Sequence, residues 1–386
     1  MEEETIAEIK DLYINFYTYD GVVKALDGIK LKVKKGEILG LVGETGCGKS
    51  VTSLSMLAMV ISPGNIEKGQ IEFNMGDKKL DLLRLKTSEL LKVRGRYISM
   101  IFQEPRAALN PVYTVGEQIA EVFYHHRMEE ILKEAIHNVE EDLKNAEGFK
   151  KWLYKRHLSL LKKMLKNANS RTVRISSKIP FIRGFKKRIS NVVRKKIIEL
   201  LRTLRIPDPE RVIDMYPHEL SGGMAQRVVI AMALTCNPLL LLADEPTTNL
   251  DVTVQMQILH LIKELRGEFG SSILYVTHDL GVVAELCDRV AVMYGGNIVE
   301  VADVMTFFKK PLHPYSQALL QSIPRPGHPF VSIPGTVPSL INPPPGCRFH
   351  DRCRYTMEIC PKVKPKLIEV EKGHEVACHL YLKPEE

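Results

Sequence analysis

The chain has 386 residues, of which 45% are hydrophobic and 26% are charged, as in ordinary soluble globular proteins. No apolar run reaches the roughly 18 residues needed to cross a bilayer, and the acidic start lacks the basic-then-apolar order of a signal peptide. The composition excludes an integral membrane protein, and we expect a cytosolic chain whose cysteines stay reduced. The net charge of +8 is uneven, because residues 144–196, which we name the basic segment, carry a local charge of +17.

The first chemical motif lies in EILGLVGETGCGKSVTSLSMLAMV, which predicts a strand, a glycine-rich loop and a helix. Glu37–Val42 is short and apolar, as a buried parallel strand should be. The spacing Gly43-x4-Gly48-Lys49-Ser50 then fits a phosphate-binding loop, in which backbone N–H groups surround the phosphates. The lysine adds a positive charge and the serine hydroxyl ligates Mg²⁺. We therefore predict a nucleotide site rather than a chance glycine-rich turn.

Further along the chain, FKKWLYKRHLSLLKKMLK at residues 149–166 places apolar residues at helical spacing, with lysines on the opposite face. A basic amphipathic helix is typical of elements that lie on a membrane surface. A solvated helix packed on its neighbour is the alternative, and basic charge alone is weak support for nucleic-acid binding. We expect the basic segment to contact anionic lipid, and we expect no nucleic acid.

Two more motifs carry chemistry in the next hundred residues. In LSGGMAQR, Ser221, Gly222 and Gly223 open a predicted helix whose bare N-terminus is a site for anions. In LLLLADEP, a buried strand ends at Asp244 and Glu245, where ligands sit in open α/β sheets. Asp244 can hold Mg²⁺, directly or through water, and Glu245 is placed to accept a proton from an attacking water. Two acids that cap a turn are the weaker alternative.

The last forty residues contain four of the seven cysteines, spaced Cys347-x5-Cys353-x6-Cys360-x17-Cys378. Structural zinc sites usually use paired C-x2–4-C knuckles, and none is present here. Thiolates spread over loops, with a proline directly after Cys360, fit the larger cage of an iron–sulfur cluster better. Zinc stays open as an alternative, with three histidines within reach in sequence: His350, His374 and His379.

These motifs, with Gln103 in IFQEP, the Asn-Leu-Asp of residues 249–251 and His278 in YVTHD, resemble the ATP-binding cassette (ABC) family in order and spacing over residues 10–300. The resemblance implies an α/β fold with a RecA-like core, an antiparallel β subdomain and a helical subdomain. The implied cassette spans residues 6–305, with the helical subdomain at about 104–235. A small metal-bearing extension follows at 306–386. An insert at about 125–200 is longer than the family pattern and lies outside it.

The resemblance also assigns roles to residues. It implies ATP and Mg²⁺ as ligands, with Glu245 as catalytic base and Gln103 and His278 beside it. Asp251 belongs to the implied D-loop. The implied nucleotide contacts are Phe16, Gly43, Glu44, Thr45, Gly46, Cys47, Gly48, Lys49, Ser50 and Val51. Phe16 lies where the family stacks an aromatic ring on adenine, and the alternatives are a neighbouring ring, Tyr17 or Tyr19, and a core role for Phe16. The implied Mg²⁺ ligands are Ser50, Gln103 and Asp244. The implied contacts to the ATP of a partner subunit are Ser221, Gly222, Gly223 and Met224, where the family most often has glutamine at the last position.

A narrower resemblance is to the ATP-binding subunits of dipeptide and oligopeptide importers. It is carried by FQEPRAALNPVYTVGEQI, MYPHELSGGMAQR, LHPYSQALLQSIPRP and the four-cysteine tail, where this branch implies a 4Fe–4S cluster. It implies a second ATPase that is a paralogue, two permease subunits, an extracytoplasmic solute-binding protein, and a place on the cytoplasmic face of the membrane. The solute is a peptide or, in some lineages, an oligosaccharide. An ABC-type ATPase that acts on ribosomes or nucleic acid is the alternative function.

Overall fold

The computed structural model describes residues 4–76, 78–167, 184–248, 250–324 and 332–382. It divides into two compact units, the first formed by Met1–Gln103 with Asn237–Glu386 and the second by Glu104–Cys236. The strands are β1 (Thr5–Thr18), β2 (Gly21–Lys34), β3 (Ile38–Val42), β4 (Gly64–Asn74), β5 (Lys79–Asp81), β6 (Ile98–Ile101), β7 (Leu240–Asp244), β8 (Ser272–Thr277), β9 (Arg289–Tyr294), β10 (Asn297–Asp303), β11 (Ile368–Glu371) and β12 (His374–Val376).

The helices belong to both units. They are α1 (Lys49–Met56), α2 (Thr87–Val93), α3 (Pro105–Ala108), α4 (Val115–His126), α5 (Met128–Lys144), α6 (Gly148–Lys166), α7 (Gly184–Thr203), α8 (Pro209–Val212), α9 (Gly222–Leu234), α10 (Val252–Phe269), α11 (Leu280–Leu286), α12 (Val304–Lys309) and α13 (Pro314–Gln321). Within the described part of the chain, none of these helices is both long enough and apolar enough to cross a membrane.

The main sheet of the first unit has eight strands in the order β11-β12-β10-β9-β3-β8-β7-β6. Its strands β9, β3, β8, β7 and β6 run parallel. Every residue of β3, β7 and β8 is buried, because a parallel sheet is covered on both faces and needs continuous apolar strands. Their carboxyl ends meet at one edge of the sheet, and the predicted functional residues follow them there.

A second sheet in the same unit is the antiparallel β2-β1-β4-β5. Its strands place apolar residues such as Ile14, Ile29 and Phe73 in the core that also contains Leu41 of β3. Antiparallel sheets can keep one face in solvent, and the sequence alternates accordingly. This sheet is the antiparallel β element that the family resemblance implied.

The C-terminal region continues the main sheet rather than standing apart from it. Strand β12 pairs with β10, and Val301 lies opposite Glu375. The backbone N–H of Ala377 also donates to the carbonyl oxygen of Val299 at 2.8 Å. These strands belong to the first unit, so the two compact units of the structure do not meet at residue 305. The predicted domain boundary after residue 305 stays a prediction.

The second unit, residues 104–236, is helical and contains the described parts of the basic segment. Helix α5 buries Ile131, Leu132, Ala135 and Val139, while α7 buries an apolar stripe that includes Ile189. Residues 168–183, between α6 and α7, lie outside the described part of the chain, so the predictions for the basic segment apply to its two flanking helices.

Part of the positive charge of the basic segment is matched within the second unit. Lys162 of α6 lies 2.7 Å from Glu140 of α5, and Lys196 of α7 lies 2.8 Å from Glu134. Arg188 of α7 also pairs with an acid of α5, Asp142. Acids of α5 therefore balance part of this charge, and contact of the basic segment with anionic lipid stays a prediction.

Candidate active site

The phosphate-binding loop connects β3 to α1 and needs glycine at defined places. Gly43 has φ of 156°, and a Cβ there would lie 2.1 Å from the carbonyl oxygen of Met293. Gly48 has φ of 107° and caps α1, and a Cβ there would lie 2.9 Å from the carbonyl oxygen of Ala25. Side chains are excluded at both positions, so the loop can take the tight path that leaves backbone N–H groups available to phosphate.

Lys49 and Ser50 begin α1 and face polar partners. The Lys49 side chain is buried, and its Nζ donates to the carbonyl oxygens of Gly43 at 2.7 Å and of Glu44 at 3.1 Å. Ser50 Oγ donates to Oδ1 of Asp244 at 3.2 Å. Burial raises the pKa of Asp244, while the hydrogen bond from Ser50 opposes that rise. A hydroxyl and a carboxylate at this distance are oxygen ligands of the kind that Mg²⁺ takes beside phosphate.

Glu245 is the centre of a polar cluster at the carboxyl edge of the sheet. Its Oε2 accepts hydrogen bonds of 3.1 Å from Nε2 of Gln103 and from Oγ1 of Thr248. Its Oε1 lies 3.1 Å from Nδ1 of His278. The backbone N–H of Glu245 donates to Val276 at 3.0 Å, which fixes the residue beside β8. The structure thus brings together the three residues predicted for catalysis, and it adds Thr248, which no sequence motif indicated.

The backbone of Glu245 is unusual, because φ is +45° for a residue with a side chain. Such backbone costs free energy and persists where the surroundings hold it in place. The Glu245 side chain is only 15% exposed, whereas that of His278 is 60% exposed. The carboxylate is therefore fixed at the base of the site, and the imidazole lies where it can meet a phosphate from solvent.

Residues predicted to meet the nucleotide of a partner subunit lie at helix starts. Ser221 caps α9, and its Oγ accepts from the N–H of Met224 at 3.3 Å. Ser221 and Gly222 are exposed, and Gly223 and Met224 are half-buried, so this terminus presents polar backbone to solvent. Their contact with a partner stays a prediction.

The implied D-loop residue also begins a helix. Asp251 caps α10 by accepting from the N–H of Val254 at 2.9 Å. Asn249, two residues before it, lies outside the described residues.

Two predicted nucleotide contacts have side chains that serve the core. Phe16 of β1 is half-buried and packs against the main apolar cluster. Cys47 is 1% exposed, and burial raises the pKa of its thiol, so the loop can offer a ligand only its backbone at this position. Tyr17 is 51% exposed and donates to Glu67 at 2.7 Å. Stacking of Phe16 on adenine stays a prediction.

The four tail cysteines converge on one small cavity, although they are spread over 32 residues of sequence from Cys347 to Cys378. The cavity wall also contains apolar side chains, among them Phe349 and Leu380. The N–H of Tyr355 donates to Sγ of Cys353 at 3.4 Å, and the N–H of Met357 donates to Sγ of Cys360 at 3.4 Å. Backbone N–H groups aimed at sulfur are typical of thiolates that hold iron–sulfur clusters.

Burial, together with repulsion from the neighbouring thiols, makes ionisation of Cys347 and Cys378 costly without a metal. It raises the pKa of Cys347 to about 12 and that of Cys378 to about 11. A metal would supply the positive charge that stabilises the thiolates. Among the residues that the structure describes, no group of three or more His, Cys, Asp or Glu is arranged so that it could hold a metal ion. The fit to a metal group thus rests on the shared cavity and the N–H donors.

The three histidines of the zinc alternative have other partners. Nε2 of His374 lies 2.8 Å from a buried carboxylate oxygen of Glu300, and Nε2 of His379 lies 2.8 Å from the carbonyl oxygen of Val363. His350 lies 2.8 Å from the carbonyl oxygen of Cys347. Each contact occupies one ring nitrogen, and metal-bound histidines commonly make such a contact with the nitrogen that does not bind the metal, so zinc stays open as the alternative.

Comparison with family models gives two matches along the chain. Residues 26–248 match the model described as "ABC transporter". Residues 299–360 match the model described as "Oligopeptide/dipeptide transporter, C-terminal region". The first match contains the phosphate-binding loop and the cluster residues Gln103, Glu245 and Thr248, and the second contains three of the four tail cysteines.

Curated relatives match nearly the whole chain. A protein of Sinorhizobium fredii, "Probable peptide ABC transporter ATP-binding protein y4tR", is 41% identical over 97% of this chain and 95% of its own length. The "Dipeptide transport ATP-binding protein DppD" of Bacillus subtilis is 39% identical over 98% of this chain and 95% of its own. The "Oligopeptide transport ATP-binding protein OppD" of the same organism is 41% identical over 96% of this chain and 87% of its own.

Solved structures share the fold. The ATP-binding cassette MJ0796, in a dimeric post-hydrolysis state with ADP and phosphate, covers 77% of this chain and 98% of its own, with a TM-score of 0.51 and 24% identity. CbiO1 of Clostridium perfringens covers 80% of this chain and 92% of its own, with a TM-score of 0.52 and 24% identity. At this identity the likeness concerns the fold alone.

Proposed function

Because the chain belongs to the ABC transporter family of ATP-binding proteins, we propose that it hydrolyses ATP to power an importer of dipeptides or oligopeptides. The ATPase activity follows from the family. The peptide substrate is supported by relatives of nearly full length whose names specify peptide, dipeptide or oligopeptide transport, and by the match in the C-terminal region. The oligosaccharide alternative has no such support among these relatives.

The polar cluster around Glu245 is the observation that carries the proposed chemistry. The phosphate-binding loop holds the phosphates through backbone N–H groups and Lys49. Ser50, Asp244 and Gln103 would hold Mg²⁺, which neutralises phosphate charge when bound. Glu245 accepts a proton from the attacking water, and His278 reaches the γ-phosphate.

We further propose the partners that this ATPase needs. Exposed Ser221 and Gly222 would close on the ATP bound by a second cassette, which is a paralogue of this chain. Two permease subunits would convert closing and opening of the ATPase pair into alternating access, and an extracytoplasmic solute-binding protein would deliver the peptide. The subunit would then work as a peripheral protein on the cytoplasmic face of the membrane.

Reconstitution tests this function directly. The chain is co-expressed with its permeases, its paralogue and the solute-binding protein, and the complex is placed in proteoliposomes. We expect ATP hydrolysis to rise several-fold with a mixture of short peptides, and labelled peptide to accumulate only with ATP. Stimulation by ribosomes or RNA, with no response to peptide, would instead support the alternative of a cassette that acts outside transport.

We propose a 4Fe–4S cluster at Cys347, Cys353, Cys360 and Cys378, with zinc as the alternative. The shared cavity, its apolar lining and the N–H donors to sulfur support it. When bound, such a cluster would cross-link four loop positions and so stabilise the C-terminal region. The cluster would be structural rather than catalytic, since the four cysteines lie outside the nucleotide motifs.

Metal analysis distinguishes the alternatives. Protein purified without oxygen should be brown, with broad absorbance near about 400 nm and about four iron and four sulfide per chain, as four-thiolate ligation predicts. A measurement of one zinc per chain and no iron would support the zinc alternative and contradict the proposed cluster. A Cys353→Ser variant should lower iron content and melting temperature, whereas Cys236→Ser, outside the cavity, should leave iron content unchanged.

We also propose that the outer face of α6 contacts anionic lipid. Phe149 and Trp152 are 65% and 54% exposed, and their rings stack at 5.6 Å. Lys150 and Lys151 between them and Lys155 after them are exposed as well. Exposed aromatic rings among lysines are typical of helices that lie in the headgroup region of a membrane.

A further inference from the structure

The C-terminal region holds Glu44, the second residue of the phosphate-binding loop, by backbone and by side chain. The N–H of Glu44 donates to the hydroxyl of Tyr315 at 2.9 Å. The Glu44 carboxylate accepts two hydrogen bonds from the guanidinium of Arg352, at 2.7 and 3.1 Å. Arg352 directly precedes Cys353, one of the four cysteines of the shared cavity. The phosphate-binding loop and the cysteine site are thus joined through two adjacent residues.

The Arg352 side chain is fixed on all sides, and it is only 5% exposed. Its Nε donates to the carbonyl oxygen of Pro334 at 2.8 Å, and one terminal nitrogen donates to the hydroxyl of Tyr294 at 3.1 Å. The guanidinium also lies over the rings of Tyr294 and Phe349, at 5.7 and 5.9 Å from their centroids. A two-pronged arginine–carboxylate pair in such surroundings sets both the position and the charge of its partner.

The charge of Glu44 matters because its loop receives the most negative part of the nucleotide. A carboxylate without a cation in the phosphate-binding loop would repel the phosphates and would be free to accept the N–H groups that they need. Arg352 neutralises this carboxylate and donates to both of its oxygens, so it reduces the repulsion and keeps the carboxylate from accepting those N–H groups. Lysine would supply the charge without the planar fork, so it would replace arginine only in part.

The cysteine site is placed to control Arg352. Cys347 and Cys353 bound the segment that carries Phe349 and Arg352, and Phe349 packs at 5.1 Å from Tyr294 and 5.3 Å from Tyr315. A metal group shared by the cysteines would tie both ends of this segment to Cys360 and Cys378. The backbone of this segment forms a single turn at residues 350–352, and the N–H of Cys347 donates to the carbonyl oxygen of Cys360 at 2.7 Å, so the segment is already linked to the cysteine site.

We propose that Arg352 is a positioning residue for nucleotide binding, which neutralises and fixes Glu44 and thereby makes the phosphate-binding loop respond to occupancy of the four-cysteine site. The first part stands on the contacts of Arg352 alone. The second part rests on the proposed iron–sulfur cluster.

Binding measurements on purified full-length protein test the first part. The dissociation constant of a fluorescent, non-hydrolysable ATP analogue with Mg²⁺ should rise on the order of tenfold in Arg352→Gln, because a paired charge is lost. The dissociation constant of Arg352→Lys should lie between those of the original protein and of Arg352→Gln. Arg354→Gln is the matched control, since it removes an exposed arginine from the other side of Cys353, and it should bind like the original protein.

A second substitution separates positioning from a general loss of structure. Glu44→Gln removes the unpaired carboxylate, so the double variant Arg352→Gln, Glu44→Gln should bind the analogue better than Arg352→Gln alone. A double variant as weak as the single one would overturn the proposal, since Arg352 would then act through folding. Unchanged binding in Arg352→Gln would overturn it as well.

Iron removal tests the second part. The dissociation constant is measured before and after chelation, with iron content and melting temperature followed on the same samples. Loss of iron should weaken binding in the original protein and leave Arg352→Gln at its already weak value. An unchanged constant in iron-free original protein overturns the coupling. Freshly isolated protein without iron contradicts the cluster and with it the coupling, while the rescue by Glu44→Gln still decides the role of Arg352.

Discussion

Nδ1 of His278 lies 3.1 Å from Oε1 of Glu245, while Gln103 and Thr248 occupy Oε2 of the same carboxylate. Both oxygens of the proposed base are therefore held in place. Oε2 accepts two hydrogen bonds, whereas Oε1 has one partner and keeps a lone pair that can accept a proton from water. His278 is the exposed partner, so its ring can orient Oε1 and also reach toward the γ-phosphate.

Glu245→Gln should keep ATP binding and lose most hydrolysis, on the order of 10²-fold to 10⁴-fold in kcat, because the amide keeps the shape but accepts no proton. The variant should also accumulate as a closed dimer with ATP, detected by size-exclusion chromatography with its partner subunits. Glu268→Gln, the same change on an exposed residue of α10, is the control. Near-normal turnover of Glu245→Gln would remove Glu245 from the role of base.

His278→Ala should lower kcat with little change in KM, since the imidazole acts on the γ-phosphate rather than on ground-state binding. Because His278 and Glu245 act as one unit, the double variant should be hardly slower than Glu245→Gln alone. Steady-state ATPase assays of the four proteins give this comparison. Strictly multiplicative losses would show that the two residues work independently.

The residues of this site differ in how far the sequence could predict them. Gly43, Lys49 and Glu245 lie in short motifs whose spacing itself encodes a loop or a strand end, so local reasoning found them. Thr248 lies in the same segment as Glu245, but a threonine in a turn has no distinctive pattern. The Arg352–Glu44 pair joins residues 308 positions apart, and only the folded chain brings them into contact.

The same distinction applies to the fold. Buried apolar strands such as β3 and β7 are visible in sequence because a parallel sheet requires them. The order of strands and the pairing of β12 with β10 depend on long-range contacts that the local pattern of apolar residues does not indicate. The charge of the basic segment is evident from the sequence. That acids of α5 pair with part of this charge is evident only from the folded chain.

The Glu130–Arg127 pair should make the helical unit sensitive to acid. Hydrogen bonds from Arg127, at 2.7 and 2.8 Å, hold the pKa of Glu130 below its ordinary value, with a smaller contribution from Lys196. A carboxylate whose pKa is lowered in the folded state contributes stability that is present above the unfolded pKa and is lost as pH falls through the folded one. That window lies below about pH 5.

Thermal melting of Glu130→Gln measures this contribution. The variant should melt slightly below the original protein at neutral pH, since Glu130 is half-exposed, and the gap should close as pH falls through the lowered pKa of the original carboxylate. Glu121→Gln, an exposed glutamate of α4, is the control and should show no gap. A gap that stays constant with pH would mean that Glu130 contributes through packing rather than through its charge.

Asp244→Asn should weaken Mg²⁺ binding, because an amide oxygen replaces a carboxylate while the hydrogen bond to Ser50 can remain. Metal-free nucleotide binding should change little, since the phosphate contacts lie in the loop. The measurement is a titration of Mg²⁺ at constant ATP analogue, which should require on the order of tenfold more metal in the variant. An unchanged titration would remove Asp244 from the set of proposed Mg²⁺ ligands.

Anionic lipid binding can be assigned to one face of the basic segment by two matched sets of substitutions. Lys150, Lys151 and Lys155 lie on the exposed face of α6, whereas Lys162 and Lys196 pair with acids of α5. Each exposed cation near an anionic leaflet contributes about 1 kcal/mol at modest salt, which falls off within a Debye length. Glutamine at the three exposed positions should therefore abolish binding to vesicles rich in phosphatidylglycerol, and glutamine at the two paired positions should preserve it.

The aromatic pair gives the second arm of this experiment. Serine at Phe149 and Trp152 should weaken binding to the same vesicles, because stacked exposed rings bury apolar area at the headgroup level. Vesicles of phosphatidylcholine alone should not bind the protein, and added salt should release it from the anionic ones. Equal binding to neutral and anionic vesicles, or binding to neither, would contradict the proposed lipid contact, because lipid charge would then not determine binding. The face of α6 would in that case pack on a protein neighbour.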